Sequence, residues 1–293
     1  MRVGVTGAGG LVAATLVPLW RRAGAEVVAW PRAALDVTDR AAVAASIAGL
    51  EPDVVVHLAG YTQVDRAEAE PEAALRVNRD GTAHVAAACA RAGALMAYLS
   101  TDYVFGTGAA RPIPPEAPAT PRGAYAASKA AGEAAVRAAG GDDWLVVRSG
   151  WLYGPGGENF VDVMRAAAAG RRSVRVVDDQ RGAPTSTQLL AESLWSLVKG
   201  GARGTWHVAA AGEASWWEVA RAVFAAADAP PDLVERCTTA AAARAAPRPA
   251  YSVLDTAATA KRLGVVPPAW EVHVRSYVRT GATPGIGILE GTA

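Results

Sequence analysis

The chain has 293 residues, 51% of them apolar, with 29 basic and 28 acidic side chains and a formal charge of +1. That length can bury one large α/β domain, or one domain with a smaller lobe. The even charge balance argues against nucleic acid as the main partner, and the apolar runs are too short and too often broken by charge to span a membrane.

Arg2 to Thr6 reads as a short apolar strand ending in a glycine-rich turn. Leu11, Val12, Leu16, Leu19 and Trp20 then recur at helical spacing, and Gly24 closes that helix. Glu26 to Trp30 is a second strand. Thr38-Asp39 caps a helix to about Gly49. Asp53 to Leu58 is a continuous apolar strand of the kind buried on both faces of a parallel sheet. Pro71 opens a long helix to about Arg91. Leu95 to Ser100 is a fourth strand, a proline-rich loop covers 111–121, a helix carries Tyr125, and Trp144 to Arg148 is a fifth strand. This alternation with short connections predicts a doubly wound parallel sheet.

The rhythm loosens after Trp151. A loop starts at Gly154, followed by a helix to about Gly170, a strand over 174–177, a helix over 187–199 and a strand over 204–209. Helices follow near 215–227, 256–263 and 269–280. The expected class is α/β: a Rossmann-like doubly wound parallel sheet over 1–150, to which elements at about 184–209 return. A smaller C-terminal α+β substrate lobe takes 151–183 and 210–282, and a flexible tail takes 283–293.

Gly7, Gly10 and Ala13 form Gly-x-x-Gly-x-x-Ala between a strand and a helix. The first glycine permits the tight turn, the second lets the backbone approach a pyrophosphate, and the small third residue lets helix and strand pack closely. The helix N-terminus favours phosphate charge. Gly7, Gly9, Gly10, Leu11 and Val12 are therefore candidate cofactor contacts. No acid ends the second strand to hold a ribose 2′-hydroxyl; Arg32 stands there and suits a 2′-phosphate, which favours NADPH over NADH. Asp36 and Val37 are placed near the adenine. Leu58, Ala59, Gly60 and Thr62 are placed where the third strand ends beside ribose and phosphates.

Tyr125 and Lys129 stand one helical turn apart on one face. An ammonium beside a phenol favours phenolate, so Lys129 is expected to lower the Tyr125 pKa and make it a proton donor near neutral pH. With the glycine turn and Ser100-Thr101-Asp102 at a strand end, the pair reads as a nicotinamide-dependent carbonyl reductase. Asp65, Glu68 and Glu70 read as a solvated face rather than paired acids, and Trp216-Trp217 as lobe packing. Cys89 and Cys237 read as free buried thiols of a reducing compartment. The four histidines lack metal-ligand spacing, so no metal is expected. A strand beginning at Arg2 leaves no room for a signal peptide, and a cytoplasmic protein is expected.

Leu35-Asp-Val-Thr-Asp39, Tyr61-Thr-Gln-Val-Asp-Arg-Ala-Glu68, Ser100-Thr-Asp-Tyr-Val-Phe105, Tyr125-Ala-Ala-Ser-Lys129, Arg148-Ser-Gly-Trp-Leu-Tyr153 and Asp179-Gln-Arg-Gly-Ala-Pro-Thr185 together carry a resemblance. From about residue 1 to 280 the chain resembles the dTDP-4-dehydrorhamnose reductase family, a branch of the extended short-chain dehydrogenase/reductases. The resemblance implies a catalytic triad of Thr101, Tyr125 and Lys129. Tyr125 would protonate the substrate oxygen, Lys129 would tune Tyr125 and bind the nicotinamide ribose, and Thr101 would donate to the carbonyl oxygen. It places Asn78, Ser100, Tyr125 and Lys129 beside the cofactor, with Asn78 also on a proton path of the active site. Val64, Thr101, Asp102, Tyr103 and Trp151 are placed at the sugar, Gln180 and Arg181 at the nucleotide, and Arg248 near the diphosphate.

The implied reaction is reduction of the 4-keto group of a nucleotide-linked 4-keto-6-deoxy sugar, most simply dTDP-4-dehydro-L-rhamnose to dTDP-L-rhamnose. Two alternatives stay open: reduction of another dTDP-4-keto-deoxysugar in natural-product glycosylation, and a non-catalytic NADP-binding regulatory subunit, which the intact triad disfavours. Some family members are dimers bridged through magnesium at an acidic interface. No acidic cluster here demands that, so the expectation is a monomer or homodimer. Departures are Ala13 at the third glycine position, Trp30-Pro31 after the second strand, and a loosely matching stretch from Ala246 to Asp255.

Overall fold

A computed structural model of the protein describes residues 1–106, 108, 110–139 and 141–287. Strands β1 (Arg2–Thr6), β2 (Glu26–Trp30), β3 (Val54–His57), β4 (Leu95–Thr101) and β5 (Trp144–Ser149) join Gly204–His207 in one six-stranded sheet. From one edge the order is Gly204–His207, β5, β4, β3, β1, β2, and every pairing is parallel. β2 and β3 thus flank β1 on opposite sides. The chain reverses its winding there, which opens a crevice at the carboxyl ends of β1 and β3.

Helices cover both faces. The period-2 alternation of strand side chains divides the core between them. Val54 and Val56 face one layer with Leu16, Trp20, Leu190 and Leu194, whereas Val55 faces the other with Val43, Ile47, Val85 and Tyr98. On the first face lie α1 (Leu11–Arg22) and the helix Thr187–Lys199, locked where Trp20 Nε1 donates to the Ala191 carbonyl at 3.0 Å. On the second lie α2 (Arg40–Leu50), capped by Asp39, then α5 (Thr82–Ala92) and α6 (Ala124–Ala138).

The expected long helix from Pro71 is divided. α3 (Val64–Ala69) and α4 (Pro71–Leu75) lead into a π-helical turn, Arg76–Gly81, before α5 begins. The wider turn buries Asn78, and Gly81 lies so close to Val37 that an added Cβ would stand 2.8 Å from its Cγ2. Such turns inside helices recur at functional sites.

After β5 a second core forms. Helices Phe160–Ala169, Trp216–Ala226 and Trp270–Thr280 pack around Val161, Met164, Val223, Phe224, Val274 and Tyr277. Beside them Val174–Val177 pairs in parallel with Val234–Cys237, a strand that sequence pattern did not suggest because its middle residues are charged. The tail is tied down at its start: Ile286 N–H donates to Glu192 Oε2 at 2.6 Å and its side chain joins the second core. Residues 288–293 of the expected flexible tail lie outside the described residues. Among those described, no helix is long and apolar enough to cross a membrane.

Candidate active site

The glycine turn is built where β1 and β3 stop. Gly7 adopts φ +67°, and an added Cβ would stand 2.5 Å from the Ala59 nitrogen, so only glycine lets the two strand ends meet. Gly10 N–H donates to the Gly7 carbonyl at 3.0 Å and leads straight into α1. The first N–H groups of that helix have no partner within it and face the turn, a donor set suited to pyrophosphate. Beneath the turn His57 is fully buried, with Nδ1 2.7 Å from Thr6 Oγ1 and Nε2 3.1 Å from Thr82 Oγ1. Burial, helped by Lys129, pulls the imidazole down to about 3, so it is a neutral strut.

Leu11, Leu58, Ala59 and Gly60 are half-buried along the crevice, while Gly9 and Thr62 are exposed on its rim. The Arg32 side chain is 87% exposed, its Nε 3.7 Å from Asp36. Asp36 also accepts from the N–H and hydroxyl of Thr38, which hold its carboxyl below the usual range. Three expected cofactor residues have side chains elsewhere. Val12 and Val37 are core residues. Ser100 Oγ donates to Glu133 Oε1 at 2.7 Å, beneath the sheet end. Glu133 in turn receives Arg148 through two bonds of 2.8 Å and Arg137 through one of 2.9 Å.

Tyr125 is the second residue of α6, and Lys129 follows one turn later. Lys129 Nζ donates to the Leu99 carbonyl at 2.7 Å and stands 4.2 Å from the centre of the Tyr98 ring. Burial pulls its amine down to about 7, opposed by Glu133. The expected lowering of the Tyr125 phenol is corrected here. Burial pushes it up to about 12, and the group opposing that rise is the Thr101 hydroxyl rather than Lys129. Thr101 Oγ1 donates to Asp102 Oδ1 at 3.1 Å and accepts the Tyr103 N–H at 3.2 Å. The Tyr103 ring meets the Tyr125 ring edge-on at 5.8 Å.

Asn78 braces this corner. Its side-chain amide donates to Tyr61 O at 3.0 Å and to Ser128 Oγ at 2.9 Å, and its Oδ1 accepts Tyr61 N–H at 2.8 Å. Ser128 Oγ donates on to the Tyr125 carbonyl at 2.7 Å. Asn78 therefore couples the end of β3 to the backbone of the tyrosine helix.

On the far side, Val64 opens α3 and is half-buried. Trp151 adopts φ +52° and stacks on Trp216, with centroids 3.6 Å apart and planes within 3°. Gly182 presses on the same indole, since an added Cβ would come 2.3 Å from it. The neighbours on its ring restrict how Trp151 can meet a sugar. Gln180 and Arg181 are engaged within this lobe: Gln180 Nε2 donates to Thr239 Oγ1 at 2.8 Å, and Arg181 Nε to Glu213 Oε1 at 2.8 Å. Arg248 grips Asp65 through bonds of 2.9 and 2.8 Å. Asp65 is thus no free member of a solvated face; the Arg248 hydrogen bonds, with Ala246 N–H, hold its carboxyl at about 2. Asp102 is 2% exposed, and its Oδ2 accepts from Ser252 Oγ at 2.6 Å.

The family model described as the RmlD substrate binding domain matches residues 1–282. The chain belongs to the RmlD substrate binding domain family. It is 44% identical to a dTDP-4-dehydrorhamnose reductase of Streptomyces griseus over 86% of this chain and 84% of that one. It is 41% identical to a dTDP-4-keto-6-deoxy-D-glucose reductase of Streptomyces niveus over 85% of this chain and 87% of that one. A crystal structure of dTDP-4-dehydrorhamnose reductase from Bacillus anthracis in complex with NADP superposes with a TM-score of 0.88. Its identity is 33%, covering 92% of this chain and 95% of that one.

In this RmlD-family chain the structure brings Thr101, Asp102, Tyr103, Tyr125 and Lys129 together where β4 ends and α6 begins, on the same carboxyl edge of the parallel sheet as the Gly7 turn. The residues that sequence reading passed over are His57, Glu133, Arg148 and Ser252. A histidine inside Asp-Val-Val-Val-His-Leu was a visible signal, because a polar residue in a strand buried on both faces needs hydrogen-bond partners. Glu133 offered a weaker one, lying a turn beyond Lys129 on the same face. Ser252 offered none.

Proposed function

We propose that the protein is an NADPH-dependent reductase of the 4-keto group of a dTDP-linked 4-keto-6-deoxy sugar, with dTDP-4-dehydro-L-rhamnose as the simplest substrate and dTDP-L-rhamnose as product. The observation that carries this reading is that Tyr125 meets the turn following Thr101, edge-on to Tyr103 at 5.8 Å, in a sheet whose first strand ends in a turn that only glycine can make. Bound in the crevice, a nicotinamide supplies hydride to the carbonyl carbon. Tyr125 delivers the proton to the oxygen. Its phenol, pushed up to about 12 by burial, stays protonated throughout the neutral range and is ready to donate.

Lys129, with an amine pulled by burial to about 7, carries charge in part of the population near neutrality. That charge stabilises the phenolate left after donation. Leu99 fixes where the amine sits. Thr101 provides a second hydroxyl for the developing oxyanion. The exposed guanidinium of Arg32 suits a 2′-phosphate, and NADP in the Bacillus anthracis relative agrees with it.

The Streptomyces niveus relative favours a second reading within the same chemistry, in which the unepimerised 4-keto-6-deoxy-D-glucose nucleotide is reduced. The silent regulatory subunit is disfavoured by the complete Thr-Tyr-Lys set. A cytoplasmic monomer or homodimer is the simplest setting for such an enzyme. The test is to supply purified protein and NADPH with each dTDP-4-keto sugar separately and follow nicotinamide absorbance. Turnover of the rhamnose precursor supports the first reading, turnover of only the glucose precursor the second, and oxidation with neither removes both.

A further inference from the structure

Asp102 opens the short 3-10 turn Asp102–Val104 that follows β4. Its carboxylate is packed against Gly150, where an added Cβ would come within 2.3–2.6 Å of the carboxyl atoms. Its side-chain partners are two hydroxyls, Thr101 and Ser252, and among the described residues no cation is hydrogen-bonded to it. Ser252 is 150 positions away in sequence. It sits on a segment clamped to the Arg181 strand: Arg181 N–H donates to Ala250 O at 2.8 Å and Ser252 N–H donates to Arg181 O at 2.9 Å.

A threonine hydroxyl has one hydrogen and two lone pairs. Thr101 gives its hydrogen to Asp102 and takes the Tyr103 N–H on one lone pair. A keto oxygen in the cleft can receive nothing from Thr101 while that arrangement holds. A carboxyl that has taken a proton from solvent can instead donate to Thr101, and the threonine hydrogen is then free to turn toward the cleft.

We propose that Asp102 is a positioning residue for the reduction: as carboxylate it holds the Thr101 hydrogen away from the substrate, as carboxylic acid it releases it, and Ser252 sets the balance between the two. The reductase reading enters only in naming the oxygen that Thr101 meets. The titratable groups facing the carboxyl are Tyr103 on its own turn and Tyr125 on α6. Burial raises both phenols, so both stay neutral while Asp102 titrates. Burial also raises Asp102 itself, to about 6, against the pull of the Ser252 and Thr101 hydrogen bonds.

The experiment pairs carbon-13 NMR of aspartate-labelled protein with the pH profile of kcat. The Asp102 carboxyl resonance is assigned by its loss in Asp102→Asn. It should titrate near 6 in the unsubstituted protein. Ser252→Ala removes a hydrogen bond to the ionised form and should move that midpoint up by about one pH unit. Ser252→Thr, which keeps the hydroxyl, should restore it. Lys129, which takes its charge near 7, should raise kcat in every variant as pH falls; the further rise through the Asp102 midpoint should follow the Ser252→Ala displacement and be absent in Asp102→Asn. An unmoved midpoint in Ser252→Ala, or a rise through the Asp102 midpoint that persists in Asp102→Asn, overturns the proposal. If the unsubstituted protein reduces no dTDP-4-keto sugar, the reductase reading falls, and the carboxyl titration by itself decides whether Ser252 controls Asp102.

Discussion

Lys129 Nζ lies 2.7 Å from the Leu99 carbonyl, and this contact, rather than one with Tyr125, fixes the amine. Tyr125 and Lys129 share a helix face, but the tyrosine answers to Thr101 and to its own burial. The lysine answers to a strand carbonyl and to Glu133 a turn further on. In the proposed reaction the division separates two tasks, holding a proton and stabilising the charge left when it departs.

Removing the proposed proton donor isolates the first task. Tyr125→Phe keeps the ring that meets Tyr103 edge-on. It should lose roughly 100-fold or more in kcat, the usual contribution of a positioned general acid. Fluorescence titration should find NADPH binding retained. Turnover at the unsubstituted rate in a stopped assay would remove Tyr125 from the chemistry.

Arg32 tests cofactor choice without disturbing the core, since its side chain is 87% exposed. Arg32→Ala should raise the KM for NADPH by about 10- to 100-fold, the range of a charge-assisted contact, and leave the KM for NADH unchanged. Parallel initial-rate measurements with the two cofactors check this. An equal effect on both would place the 2′-phosphate elsewhere.

Gly7 carries the turn. Gly7→Ala forces a side chain into φ +67° and against the Ala59 backbone. The left-handed conformation alone costs about 1–2 kcal/mol, and the strand ends must also part. Urea unfolding should show a loss of at least that size, and calorimetric titration should show NADPH affinity reduced roughly tenfold, or about 1.4 kcal/mol. Unchanged affinity would mean that the pyrophosphate does not use this turn.

Acid should destabilise the protein before its carboxylates are reached. His57 is held down to about 3 and His207 to about 4 by burial, from an unperturbed 6.5. Below 6.5 the unfolded chain binds these protons and the folded chain does not, so stability falls with pH down to each folded value, by up to about 1.4 kcal/mol per pH unit for each histidine. Asp102 acts in the opposite sense between about 6 and 3.8, but it is one group against three, since burial lowers His273 as well. The urea midpoint should therefore fall between pH 6.5 and 4.5, less steeply in His57→Gln. An identical slope in that variant would show that His57 does not carry the effect.

The strands, the glycine turn and the Tyr125 helix were legible in the sequence because each rests on neighbours: alternation of period 2, apolar spacing of period 3.6, and a φ open to glycine. The π-helical turn at Arg76–Gly81 was not, since it depends on the fit of Gly81 against Val37, more than 40 positions away. The same limit explains the substrate side. Arg248 and Arg181 read as free cations for a diphosphate and a nucleotide, and the fold pairs them with Asp65 and Glu213.

By itself the sequence determined that Tyr125 and Lys129 share one face of a helix and that a glycine turn links β1 to α1, for these follow from short-range geometry. Only the tertiary structure decided what each polar group bonds to: Lys129 to Leu99, Ser100 to Glu133, Asp102 to Ser252. A buried hydrogen-bonding group must find a partner, and it takes the one that packing brings within about 3 Å, wherever that residue lies along the chain.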